Sequence, residues 1–202
     1  MAFACKNRRE EDDALSRFRD PLDGSWYVQL TLGDTYVTSD ANEILTTVLG
    51  SCIATCIRDP ITGIGGMNHF LLPNGGNHDR DARCYGVNAM ELLINDILKQ
   101  GGSRRALEAK VFGGANVVAS LSGVGSRNVA FASQFLKDEG IAIVGGDCGG
   151  TAARKIRYNP NSGIAKQALV KDTGGQLIER ELLASRASVA RSGTPDVEFF
   201  DD

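Results

Sequence analysis

No apolar run in this chain of 202 residues approaches the roughly 20 residues that a membrane-spanning helix needs. Insertion into a bilayer is therefore not expected. There is no excess of basic charge either: 22 Lys and Arg stand against 25 Asp and Glu, for a net charge of −3. Such a balance offers no electrostatic footing for nucleic acid or an anionic lipid surface. The opening stretch, MAFACKNRREEDDALSRFRD, lacks the apolar core of an export signal. Repeats and low-complexity tracts are absent. Five cysteines (Cys5, Cys52, Cys56, Cys84, Cys148) make an odd count without an export signal. That pattern reads as reduced thiols in a cytoplasm. The glycine-rich elements FGGAN and GGDCGG do not match a phosphate-cradling loop.

What is present is an interleaving of strand and helix signals, the pattern of an α/β domain. WYVQLTL and DTYVTS, joined through Gly33-Asp34, are short β-rich runs, and EILTTVL is another. CIATCIRD alternates Ile53, Thr55 and Ile57 with Ala54 and Cys56, a strand period. NAMELLINDILKQGG changes to helical spacing, with Met90, Leu93, Ile94 and Ile97 on one face, Asn88 as a candidate cap and Gly101 as a stop. LEAKVFGG returns to strand, SRNVAFASQFLKDEG predicts a second helix closed by Gly140, and IAIVGGD predicts a buried strand. ARKIRYNPNSGIAKQALV predicts a hairpin turning at 159–163, and QLIERELLASRASVARSG a third helix. The expected organisation is a charged, peripheral extension over 1–24 with one helix, a single layered domain of mixed or antiparallel sheets and flanking helices over 25–192, and an acidic tail over 193–202.

One stretch, TTVLGSCIATCIRDPITGIGGMNHFLLP, carries candidate chemistry. The turn-prone DPITG joins two β-like runs. A hairpin centred near Pro60-Ile61 sets Cys52 opposite His69, within the reach of cross-strand neighbours. An imidazolium beside a thiol lowers its pKa and yields a thiolate nucleophile, and the same ring can protonate a leaving amine. Gly50-Ser51 and Gly65-Gly66 would let backbone approach a substrate closely, and N–H groups near Cys52 would contribute to an oxyanion hole. Against this stands the common reading of a strand cysteine as a small buried hydrophobe. Zinc binding fits poorly, because positions 52 and 56 on a strand lie about 13 Å apart. His78, in the polar loop NGGNHDRDAR, reads as a solvated side chain. Cys5, Cys56, Cys84 and Cys148 read as structural or incidental.

LGSCIATCIRDPITGIGGMNHFLLP closely resembles the signature of the CheD family, the chemoreceptor glutamine deamidases of bacterial chemotaxis. The likeness continues through YGVNAMELLINDILKQG, AKVFGGANV and NVAFASQFLKDEGIAIVGGDCGGTAARKIRYNPNSG, so it spans roughly 26–167. The resemblance implies a layered α/β fold like that of deamidating bacterial toxins and a protein-glutamine glutaminase without metal or organic cofactor. It implies Cys52 as nucleophile, His69 as base, and Thr46 as the third group, whose hydroxyl would orient the imidazole. The implied substrate is the cytoplasmic helices of methyl-accepting chemoreceptors, and the implied partner a CheC-type phosphatase. Two other readings stay open: an adaptor that binds receptor or CheC without catalysis, and a hydrolase of receptor glutamyl methyl esters through the same acyl-enzyme.

Overall fold

The computed structural model describes residues 15–22, 24–72, 79–117 and 123–170, of which 79–83 by backbone alone. Ten strands and two helices are described: β1 Ser16–Arg19, β2 Trp26–Gln29, β3 Thr35–Thr38, β4 Glu43–Leu49, β5 Ile53–Arg58, β6 Gly65–Phe70, α1 Asp79–Lys99, β7 Glu108–Gly113, α2 Val124–Asp138, β8 Ala142–Cys148, β9 Ala153–Tyr158 and β10 Ala165–Val170. They form two five-stranded mixed sheets, in the orders β1-β2-β4-β9-β10 and β3-β6-β5-β7-β8.

The period-2 pattern of β5 sorts the molecule into three layers. Ile53 and Ile57 point to one side, where they pack with Met90, Leu93, Ile94 and Ile97 of α1 and Ala132 and Leu136 of α2. Ala54 and Cys56 point to the other side, into a second core shared with Leu45 and Leu49 of β4 and Ile156 and Tyr158 of β9. Alternation on a strand buried on both faces thus builds two cores at once. Helices cover one face of the second sheet, and the first sheet covers the other. This is the expected layered α/β arrangement.

Two turns of one design set the registers. DPITGI closes with Asp59 N–H donating to the Ile64 carbonyl (2.8 Å) and Gly63 N–H donating to the Asp59 carbonyl (2.9 Å). NPNSGI closes the same way, Asn159 to Ile164 and Gly163 to Asn159, both at 2.9 Å. In each, a side-chain oxygen at the first position accepts an N–H inside the turn, Ile61 for Asp59 and Ser162 for Asn159, both at 2.8 Å. Glycine at the fifth position takes a left-handed conformation, φ 73° at Gly63 and 72° at Gly163, which other residues adopt only with strain. The β5–β6 hairpin therefore centres between Ile61 and Thr62, not at Pro60-Ile61. Ala54, not Cys52, stands directly opposite His69.

Several other elements depart from the sequence reading. The helix placed after an Asn88 cap begins at Asp79, and Gly86, a residue that reads as a helix breaker, lies inside it. A Cβ at Gly86 would come within 2.6 Å of Leu72 and 2.7 Å of Phe131, so the glycine lets α1 close on the chain leaving β6 and on α2. IAIVGGD forms an edge strand, with Ile143 and Val144 exposed; apolar texture does not separate an edge from a centre. Within 1–24, residues 16–19 form strand β1 instead of a helix, with Phe18 stacked on Tyr27 at 5.3 Å. The third helix, the acidic tail, Cys5 and His78 lie outside the described residues.

Candidate active site

His69 lies on β6, facing the first sheet, and is buried. Its backbone is held by the chain that crosses from β2 to β3: its N–H donates to the Asp34 carbonyl (3.0 Å), and its carbonyl accepts from Gly33 N–H (2.8 Å). Asp34 keeps that crossing tight by accepting from the N–H and hydroxyl of Thr31, at 2.6 and 2.8 Å.

The imidazole meets the hydroxyl of Thr47, with 2.9 Å between Oγ1 and Nδ1. The same hydroxyl lies 2.9 Å from the Leu30 carbonyl. A carbonyl only accepts, so the hydroxyl proton goes to Leu30 and Nδ1 must be the donor to Thr47. The ring is thereby fixed as the Nδ1–H tautomer, leaving the Nε2 lone pair bare. Nε2 is buried and has no hydrogen-bond partner among the described residues. Burial pushes the imidazole down from 6.5 to about 4, only partly opposed by the backbone hydrogen bond to Leu30. At neutral pH His69 is thus a neutral imidazole, where the sequence pairing supposes an imidazolium.

Cys52 precedes β5 by one residue and is 2% exposed. It belongs to the inter-sheet core, on the same face as His69. The register makes the two diagonal neighbours, a relation that separates Cα atoms by about 7–8 Å. The loop carrying Cys52 is tied down by its carbonyls. Gly50 accepts from Ala115 N–H and Cys52 from Gly114 N–H, both at 2.8 Å. The Ser51 carbonyl accepts from Asn128 Nδ2 at 2.9 Å.

Thr46 is not at the imidazole. Its hydroxyl donates to the Ile156 carbonyl of the neighbouring strand at 2.8 Å. Strand parity is the reason: Leu45, Thr47 and Leu49 face the inter-sheet core, and Thr46 shares the opposite face with Ile44 and Val48. Gly65 and Gly66 also serve another end. A Cβ on Gly66 would meet the Tyr36 carbonyl at 2.2 Å and Leu93 at 2.9 Å, so this glycine admits β3 and α1 against β6.

Three residues near the site carry no role in the sequence reading: Thr47, Asn128 and Arg154, the last being the arginine of the DCGGTAAR stretch. Thr47 could have been found from the alternation Leu45-Thr47-Leu49. Arg154 is buried (3% exposed), paired to Asp147 at 3.0 Å and donating to the Asp147 and Gly149 carbonyls. Through Gly149 and Gly150 this loop is bonded to Gly113 and Asn116, each at 2.8 Å, and so braces the loop that holds Cys52. No three His, Cys, Asp or Glu side chains converge as metal ligands among the described residues.

Residues 71–168 match the family model described as CheD chemotactic sensory transduction, a match that begins two residues past His69. A Caulobacter vibrioides protein named "Probable chemoreceptor glutamine deamidase CheD" is 52% identical over 176 residues, covering 86% of this chain and 92% of that one. An Agrobacterium fabrum protein of the same name is 49% identical over 175 residues, covering 86% and 96%. Among solved structures, a Neisseria meningitidis protein is 13% identical with a TM-score of 0.40, covering 62% of this chain and 64% of that one. That likeness is too slight to carry a conclusion.

Proposed function

The chain belongs to the CheD family, and from that premise we propose that it hydrolyses glutamine side-chain amides on chemoreceptors, with Cys52 as nucleophile and His69 as base. The observation that carries the chemistry is the buried neutral imidazole, with Nδ1–H committed to Thr47 and Nε2 left open, on the sheet face that also bears Cys52.

Nε2 takes the thiol proton as Sγ attacks the amide carbon, and the carbonyl oxygen becomes an oxyanion. The C–N bond breaks and Nε2–H protonates the departing nitrogen, which leaves as ammonia. Water then gives a proton to Nε2 while its oxygen adds to the thioester carbon. The C–S bond breaks, the sulfur recovers its proton, and glutamate remains. Thr47 fills the orienting role that the sequence reading gave to Thr46: it holds the tautomer that keeps Nε2 free. Each event adds a negative charge to packed receptor helices, where like charges shift the signalling equilibrium. The receptor's cytoplasmic helices are the proposed partner and the cytoplasm the proposed compartment; no helix among the described residues is long and apolar enough to cross a membrane.

The test is mass spectrometry of a receptor cytoplasmic fragment after incubation with the protein, reading conversion of amide to acid at each glutamine. Conversion by the wild type and none by Cys52→Ala is the expected result. Conversion by Cys52→Ala at the wild-type rate overturns the thiol mechanism. No conversion by wild-type protein that binds the fragment leaves the adaptor reading in its place. A methyl-esterified fragment in the same assay reads ester hydrolysis, and calorimetry with a CheC-type phosphatase reads the second implied partner.

A further inference from the structure

The mechanism leaves one buried polar side chain beside the site unused. Asn128, in the second turn of α2, is 0% exposed. Its Nδ2 donates to the Ser51 carbonyl at 2.9 Å. Its Oδ1 accepts from Leu72 N–H at 2.8 Å. One carboxamide thus grips the chain just before the nucleophile and the chain three residues after the base.

The Ser51 carbonyl shares a peptide unit with the N–H of Cys52. That unit is planar and trans, so its C=O and N–H point in opposite directions. Whatever fixes the Ser51 carbonyl therefore aims the Cys52 N–H. The flanking units are tied by Ala115 on Gly50 and Gly114 on Cys52, and Asn128 holds the unit between them. Two positions without side chains allow these approaches: Gly125 that of the helix to the chain after β7, and Gly113 that of β7 to the chain at Cys52. A Cβ on Gly125 would lie 2.3 Å from the Gly114 carbonyl oxygen, and one on Gly113 (φ 109°) would lie 2.1 Å from that of Cys52.

We propose that Asn128 is a positioning residue that aims the Cys52 backbone N–H at the oxyanion formed when Sγ attacks the substrate amide. The amide direction is set in the free protein by a side chain that water does not reach. The inference rests on the deamidase reading and deepens it. It does not touch the thiol–imidazole step, and this separates it from a general role in building the site.

That separation is measurable. Alkylation of Cys52 by iodoacetamide consumes the thiolate but passes through no oxyanion; deamidation requires both. Asn128→Asp retains an acceptor for Leu72 and, ionised at pH 8, has no donor for Ser51. Its expected kcat for deamidation at pH 8 is lower by about 10- to 100-fold, short of the roughly 100- to 1000-fold of a lost oxyanion donor because the N–H is misaimed and not removed. Its KM and its Cys52 alkylation rate are expected within about threefold of wild type, as befits a group felt in the transition state. Asn128→Ser, smaller and uncharged, should show the same split and serves if the carboxylate prevents folding. Unchanged kcat in either folded variant overturns the proposal. Alkylation falling in parallel with kcat overturns it as well, since Asn128 would then be acting on the thiol. Failure of both variants to fold assigns Asn128 to the fold and withdraws it from catalysis. Wild-type protein that converts no glutamine counts against the deamidase reading itself, on which this inference depends.

Discussion

Strand β5 presents Cys56 to the inter-sheet core, and Cys52, just before the strand, lies on that same face. Both thiols are nearly inaccessible, at 2% and 1% exposure. Their surroundings differ. Cys56 pairs in register with Met67 and Lys110, and burial pushes its thiol far above the ordinary range, with Lys110 opposing only in part. Such a thiol is protonated at any physiological pH and behaves as a small hydrophobe. Cys52 sits where the strand gives way to a loop tied by Ala115, Gly114 and Asn128, diagonal to a ring whose Nε2 is open. Burial does not separate the two thiols; an imidazole with a spare lone pair and a tied backbone around the sulfur distinguish the two ends, and these are what the proposed mechanism uses.

The comparison breaks most sharply under cysteine replacement. Cys52→Ala is expected to lower deamidation by at least about three orders of magnitude, because no acyl-enzyme can form. Cys56→Ala is expected to keep kcat and lose about 1 kcal/mol of stability, the order of a small core truncation. The measurements are amide-to-acid conversion and thermal unfolding of both variants. Loss of activity in Cys56→Ala with normal unfolding would erase the distinction between the two ends.

The same contrast explains what could be read without coordinates. The order of strands and helices was legible because periods of 2 and 3.6 are written locally. That Cys52 and His69 share a face was legible from an approximate hairpin. The shift of register was missed by even steps, and a shift of two returns a side chain to the same face. The turn design was also legible in principle, since DPITGI and NPNSGI repeat proline at the second position and glycine at the fifth. The sequence points to Thr46, whereas the hydroxyl at the imidazole is that of Thr47; the two are adjacent and chemically identical, and only parity with Leu45 and Leu49 separates them. Asn128 and Arg154 were out of reach, because contacts from Asn128 to Ser51 and from the Arg154 loop to Gly113 join segments far apart in sequence. The neutral state of His69 follows from its burial between sheets, which no local pattern states.

That neutral state gives the next prediction. An unfolded His69 binds a proton as pH falls through 6.5, whereas the folded ring does so only near about 4. Between these values the unfolded state holds more protons, so stability falls as pH falls, by about 3 kcal/mol in all, and levels off below the folded value. His69→Gln is expected to flatten this part of the urea-unfolding profile. Asp59, whose carboxylate burial alone would raise but which N–H groups of Ser103, Ile61 and Thr62 hold below its ordinary value, adds a separate loss of stability at lower pH in both proteins. Activity should persist to about pH 5, because the base is neutral there. An acid limb of kcat/KM at pH 6 to 7 would show that the ring is solvated or paired in the working enzyme, contrary to the burial described.

The smallest expected effects lie in the two adjacent threonines, and they sharpen the comparison within a single strand. Valine matches threonine in shape and removes the hydroxyl. Thr47→Val deprives Nδ1–H of its acceptor and the Leu30 carbonyl of a donor. The ring remains confined by its burial and can still reach the Leu30 carbonyl, so the loss in kcat should be about 10-fold, well short of losing the base itself. Thr46→Val leaves the Ile156 carbonyl without that hydroxyl, at a cost of about 1 kcal/mol in stability, and leaves Nδ1 untouched. Its kcat should match wild type. The two variants therefore cross: one lowers turnover, the other lowers only the unfolding midpoint. A Thr46→Val protein that folds normally but turns over slowly, beside a fully active Thr47→Val, would reverse the assignment and require the parity of β4 in the working enzyme to differ from that observed.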